Sequence, residues 1–126
     1  FKDLCSRLPY GVKVHAKYTE LEETIEIDCI VKMVDTNGFV GIEVMYDTSS
    51  SFICADIDDV KPYLFPLSSM TEEQNKEFVA TLEYLPSEEQ NIWTLKTYDW
   101  CNKNHFDYRG LIPMGLAIDA TAKNIY

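Results

Sequence analysis

Residues 24–46 read TIEIDCIVKMVDTNGFVGIEVMY, two alternating apolar runs joined by a four-residue breaker. In the first run Ile25, Ile27, Cys29, Val31 and Met33 fall on one face, and Glu26, Asp28 and Lys32 on the other. Period two with a polar second face marks a strand that buries one side. Asp35-Thr36-Asn37-Gly38 then supplies turn chemistry, since Asn and Gly tolerate the positive φ of tight hairpins. From Phe39 to Tyr46 the alternation resumes, with Val40, Ile42, Val44 and Tyr46 sharing a face. This stretch is a β-hairpin, and it sets the first half of the chain as sheet.

Upstream, Val12, Val14, Ala16 and Tyr18 alternate with Lys13, His15 and Lys17, which predicts a strand over 12–18. Downstream, a second breaker at Asp47-Thr48-Ser49-Ser50-Ser51 leads into a strand-like run from Phe52 to Ile57. A meander of about four strands follows. Pro62 and Pro66 bracket Tyr63-Leu64-Phe65, and neither proline can donate to a ladder, so 61–66 reads as an edge strand or a short 3₁₀ turn closing the sheet.

The grammar then turns helical. Thr71-Glu72-Glu73-Gln74 is a capping box, with two acids placed to suit the helix dipole. The helix is expected to run to about Tyr84, with Phe78, Val79, Leu82 and Leu85 as its buried stripe, and to stop at Pro86. Ser87-Glu88-Glu89-Gln90 repeats the device and predicts a second helix to around Asn104; the β-branched and aromatic content of 92–98 leaves a strand there as the alternative. Gly110 and Pro113 end regular structure, and 111–126 is expected as an extended tail packed by Leu111, Ile112, Leu116 and Ile118. The fold class is α+β: a small antiparallel N-terminal sheet of four to five strands, open to curling into an SH3-like barrel, then about two helices and the tail. Residues 1–126 form one domain on this reading, 1–66 mainly strands and 67–126 mainly helices plus tail.

Composition narrows function by exclusion. The 126 residues hold 21 acidic and 11 basic side chains for a net charge of −10, which argues against a groove that displaces counterions from nucleic-acid backbone. No apolar run approaches the ~20 residues of a membrane span. No secretory signal pattern is visible. Cys5, Cys29, Cys54 and Cys101 are widely spaced without a C-x-x-C pair, and Cys29 and Cys54 sit in apolar runs, so reduced thiols and a cytoplasmic location are expected.

Three stretches carry a resemblance. KDLCSRLPYGV (2–12), IDDVKPYLFPLSSMTEEQ (57–74) and YDWCNKNHFDYRGLIPMGLAIDATAKNIY (98–126) resemble segments of a family of small uncharacterised proteins from Bacteroidetes bacteria and their prophages. The resemblance implies a bacterial or phage cytosol. It carries over no activity, cofactor or catalytic residue.

The densest polar cluster runs from Asp99 to Arg109. On a helix Cys101 and His105 share a face, a geometry open to a metal or to a thiolate–imidazole pair oriented by Asn102 or Asp107. Zinc needs three or four ligands, and His15 is the one other histidine, so no metal site is expected. The plainer reading buries Cys101, ends the helix at His105 and pairs Asp107 with Arg109, which ties down the tail. Asp56-x-Asp58-Asp59 lacks the central Gly and distal Glu of a calcium loop. No P-loop, GxGxxG, GxSxG or HExxH string occurs. The expectation is therefore a non-enzymatic accessory protein acting by protein–protein recognition, with no cofactor. Its candidate surface is Tyr63 and Phe65 at the sheet edge together with His105, Asp107, Tyr108 and Arg109, since Tyr and Arg anchor interfaces. Two alternatives stand beside it: an acidic, DNA-mimic inhibitor of a nucleic-acid enzyme, which Lys13, Lys17 and Lys32 interrupt, and an enzyme using Cys101 and His105.

Overall fold

Over its described part, to Val44, the hairpin forms as its alternation demands. The computed structural model describes residues 1–44 and 52–126. Its first strands, β1 (Lys13–Glu20), β2 (Glu23–Val34), β3 (Phe39–Val44) and β4 (Phe52–Asp56), make an antiparallel meander. Met45, Tyr46 and the expected breaker at 47–51 lie outside the described residues. At the β2–β3 turn the Asp35 carboxylate accepts from the amides of Asn37 (2.8 Å) and Phe39 (3.0 Å), while Gly38 takes φ +86°. Val14, Ala16, Cys29, Val31, Val40, Ile42, Ala55 and Val60 form one continuous buried core. Met33 is the exception: pairing slips by one residue between Val31 and Met33, which turns that side chain out to 40% exposure.

A helix not foreseen from the sequence, α1 (Lys2–Arg7), precedes the meander and drops Leu4 into its core. After β4, a 3₁₀ turn at Ile57–Asp59 leads into β5 (Val60–Pro66). The capping box is real: Thr71 Oγ1 accepts from Gln74 N, and Gln74 Oε1 accepts from Thr71 N. The helix it starts, α2 (Glu72–Thr81), ends sooner than expected, because Leu82 is extended and opens a hairpin of β6 (Glu83–Leu85) and β7 (Gln90–Ile92). Ser87-Glu88-Glu89-Gln90 therefore turns a hairpin, with Glu89 at φ +50°, instead of capping a helix. Thr94 and Thr97 supply the real cap, and α3 (Leu95–Lys103) follows. The strand and helix alternatives for 92–98 are both met in part, the strand ending at Ile92 and the helix starting at Leu95. Two-residue strands β8 (Phe106–Asp107) and β9 (Ile118–Asp119) finish the chain.

The 61–66 segment is no edge. β5 pairs antiparallel with β1 over 60–62 and parallel with both β9 (63–64) and β8 (65–66). Leu64 O accepts from Ala120 N and Phe65 N donates to His105 O, each at 2.8 Å. Consecutive residues turn their polar groups to opposite edges, so β9 and β8 flank β5 on either side. Pro62 fits because its partner Val14 lies two residues beyond Val12, whose carbonyl faces β2. Val14 turns its polar groups the same way, so no donor is needed opposite it. Continuing that register would set Lys13 opposite Tyr63, and there the Tyr126 hydroxyl intervenes, accepting from Lys13 N (2.9 Å) and donating to Tyr63 O (3.0 Å). Among the described residues the resulting seven-stranded sheet is not closed, which corrects the barrel expectation. Among the described residues β4 pairs with β3 alone, and the partners that β5 takes besides β1 are β8 and β9. The tail is held by small buried residues, Ala117 and Ala120, while Leu116 stays 54% exposed.

An aromatic cluster joins the helices to the β8 strand of the sheet. Phe78 and Trp93 meet edge to face at 5.2 Å, Trp100 stacks on Phe106 at 5.4 Å and 8°, and Tyr98 meets Tyr108 at 5.3 Å. These rings pack α2, α3 and β8 together. No helix among the described residues is long and apolar enough to cross a membrane.

Candidate functional site

Asp3 and Arg7 are one helical turn apart, so α1 sets their side chains on one face. Arg7 is wholly buried; its Nε donates to Asp3 Oδ2 at 2.9 Å, and its Nη2 donates to Phe106 O at 2.6 Å. Its guanidinium stands 5.3 Å from the Tyr108 ring centre. Arg109 approaches the same ring at 5.0 Å, and its Nε lies 3.3 Å from Asp3 Oδ1. Asp3 is thus shared by two arginines that also share Tyr108. The tail is tied down by Arg109, as expected, but through Asp3. Asp107 does not pair with Arg109: its carboxylate accepts from Leu111 N and Ile112 N, 2.9 Å each, and shapes the turn that Gly110 opens at φ +72°.

That arrangement opens a groove. Its volume is about 500 Å³, within the range of ligand-sized clefts. Phe1 and Leu4 of the α1 segment, Ile57, Val60 and Pro62 around β5, and Leu111 and Leu116 of the tail supply apolar walls. Lys2, Lys61 and Arg109 add positive charge, and Asp3 and Asp58 negative charge. The two stretches singled out from sequence, 61–66 and 105–112, therefore meet here through the parallel β5–β8 pairing. Of the six named residues only Arg109 lines the groove.

The other five do work inside the fold. Tyr63 is buried and its hydroxyl donates to Asp28 (2.5 Å), which also faces His15 Nδ1 at 3.0 Å. Burial and the Asp28 carboxylate push the Tyr63 hydroxyl far above its ordinary pKa. Phe65 packs against Phe106 and Tyr126. His105 takes φ +63° just past α3 and stacks on Tyr126 at 3.8 Å; burial, then the Arg7 and Lys13 charges, bring its pKa down to about 4. Asp107 and Tyr108 are spent on the turn and the arginines. Sequence reasoning missed Asp3, Arg7 and Ile57, although the i, i+4 spacing of Asp3 and Arg7 was the available signal for α1.

Cys101 is fully buried, and desolvation pushes its thiol up to about 11, so it stays protonated at neutral pH. Cys29 is likewise buried and raised to about 11. Cys5 and Cys54 are exposed. At pH 7 an aromatic disulfide reagent should modify two thiols of the folded protein promptly, Cys5 and Cys54, and all four after denaturation. A rise from 9.0 to about 11 lowers the thiolate fraction about a hundredfold. Modification of native Cys101 at the rate of Cys5 would contradict its burial.

On the polar face of the sheet Lys17 meets Glu26 at 3.3 Å and Lys32 meets Glu43 at 3.6 Å. These lysines interrupt the negative face that a DNA mimic needs. Among the described residues no group of three or more His, Cys, Asp or Glu is placed to hold a metal ion. No protein-family model, curated protein or solved structure matches this chain.

Proposed function

We propose that this protein is a non-enzymatic recognition module of a reducing, cytosolic compartment, and that the groove between α1, β5 and the 109–116 tail takes apolar side chains of a protein partner. The groove itself supports the reading: it gathers seven apolar side chains from three separated segments, and Phe1 (55%) and Leu116 (54%) remain exposed beside it. Exposed apolar surface rimmed by charge is the usual form of a protein-binding patch. Four free thiols support the compartment. Pro62 has no N–H to offer an added strand, so recognition here runs through side-chain pockets.

A random-peptide display library panned against the protein tests this. Enriched peptides should share a large apolar anchor, and Leu116→Gln should weaken them about tenfold, the worth of ~1.5 kcal/mol of apolar burial. Val79→Gln, on the exposed face of α2, should leave binding unchanged. Failure to enrich any peptide, or equal binding to the Leu116→Gln variant, refutes the reading.

A further inference from the structure

Resting on that reading, we infer that the partner segment carries carboxylates beside its apolar anchor: the groove is an acidic–apolar peptide site. The basis is charge placement. This chain is strongly acidic, yet the groove is lined by three cations, Lys2, Lys61 and Arg109, against two acids. One of those acids, Asp3, has its charge committed to the buried Arg7 at 2.9 Å. Lys2 and Lys61 have no ion-pair partner among the described residues. On the sheet, Lys17 and Lys32 each face a glutamate. Lys2, Lys61 and Arg109 thus bring net positive charge to the apolar walls of an otherwise acidic chain.

Arg109 is the best-positioned of the three. Asp3 Oδ1 at 3.3 Å, Ser6 Oγ at 3.5 Å and the Tyr108 ring hold its guanidinium in place, and Nη1 has no protein acceptor among the described residues. A guanidinium already immobilised loses little entropy on meeting a carboxylate, and its fork geometry suits one. Lys61, exposed on β5, adds a second, mobile positive charge across the groove. Asp58 is the one exposed acid of the lining, and it disfavours a polyanion that would cover the whole site. A free fatty acid meets the same chemistry less well. Such ligands fill enclosed pockets that bury most of their surface, whereas here Phe1 and Leu116 stay more than half exposed, as walls that a larger partner would cover.

Three fluorescein-labelled peptide pools decide it. All share a Leu-Phe pair within random flanks, and differ only in the two residues that follow: Glu-Glu, Gln-Gln or Lys-Lys. The Glu-Glu pool should bind about tenfold more tightly than the Gln-Gln pool, and the Lys-Lys pool should bind weakest. That preference should collapse in 0.5 M salt, and in Lys61→Gln and Arg109→Gln, and should return in part with Arg109→Lys. Lys61→Gln carries the test alone if the Arg109 variants fail to fold. Equal binding of the Glu-Glu and Gln-Gln pools overturns the carboxylate inference and leaves the recognition reading intact. Failure of every pool to bind removes the recognition reading beneath it. Displacement of the peptides by decanoate at matching affinity, one molecule per chain, would make the groove a small-carboxylate site and overturn the inference as well.

Discussion

Replacing Arg7 by methionine should destabilise the folded protein by ~3–5 kcal/mol, the cost of leaving half of a buried ion pair behind. Arg7 is wholly buried, and its removal strands Asp3, whose side chain is 8% exposed. Arg109 reaches only the other oxygen of Asp3, at 3.3 Å, and cannot replace the 2.9 Å contact that Arg7 makes with Oδ2. Phe106 O loses its 2.6 Å donor too, at the strand that carries the 105–112 segment. For a chain of this size the melting temperature should fall by about 10–20 °C. Urea unfolding followed by circular dichroism measures the loss. The double variant Arg7→Met/Asp3→Leu should recover more than half of it, because an apolar pair of similar volume has no charge left unpaired. A single variant within ~1 kcal/mol of wild type would show that the pair is not the bolt between α1 and β8.

Arg7 also shows where sequence reading stops. The meander was legible because strand alternation is a local property: each residue's face follows from its neighbours, and Asp35-Thr36-Asn37-Gly38 states its own turn. The α2 cap was legible for the same reason. The helix α1 was not, since KDLCSR is six residues with a weak apolar stripe, stabilised by a partner 99 positions away. The Ser87-Glu88-Glu89-Gln90 motif misled because a capping box and a tight turn use the same residue types, and pairing of Glu83–Leu85 with Gln90–Ile92 settled the choice. β5 misled for a subtler reason. Proline argues against a ladder position only where a donor is needed, and the register opposite Val14 needs none.

The candidate groove was legible in part. Chain position named both stretches, 61–66 and 105–112, and residue type named Arg109. What sequence could not convey is that parallel pairing of β5 with β8 sets these stretches side by side, or that Tyr63, Asp107 and Tyr108 would be consumed by Asp28, the Leu111 and Ile112 amides and the two guanidiniums. Tyr and Arg look alike in sequence whether they anchor a partner or their own fold. Tertiary contacts decide which, and here they leave Arg109, Phe1 and Leu116 facing outward.

Acid should cost this protein stability before its carboxylates titrate, through His105. Burial lowers its pKa from 6.5 to about 4, and the nearby charges of Arg7 and Lys13 act in the same direction. Its buried Nδ1 has no partner among the described residues, so an added proton there would find no acceptor. Below pH 6.5 the unfolded chain takes up a proton that the folded state refuses until about pH 4. Stability is therefore complete above the unfolded value and drains away as pH falls through that window. Each tenfold difference in proton affinity is worth ~1.4 kcal/mol, and solvent screens part of the charge, so the loss should come to ~2 kcal/mol. Asp28, Glu26 and Asp119 are all held below their ordinary values, so their contributions fade only as pH drops beneath about 4, and the two effects separate. His105→Asn is the control: asparagine accepts the left-handed backbone at φ +63° and does not titrate. Loss of the ring stacked on Tyr126 lowers that variant's stability by an amount independent of pH. Plotted against pH, the wild-type curve should therefore fall toward the variant's between pH 6.5 and 4, and run parallel to it above pH 7. Parallel curves throughout would mean that the imidazole is charged in the folded state, in which case the Tyr126 stack, Arg7 and Lys13 would have to tolerate a third cation among them.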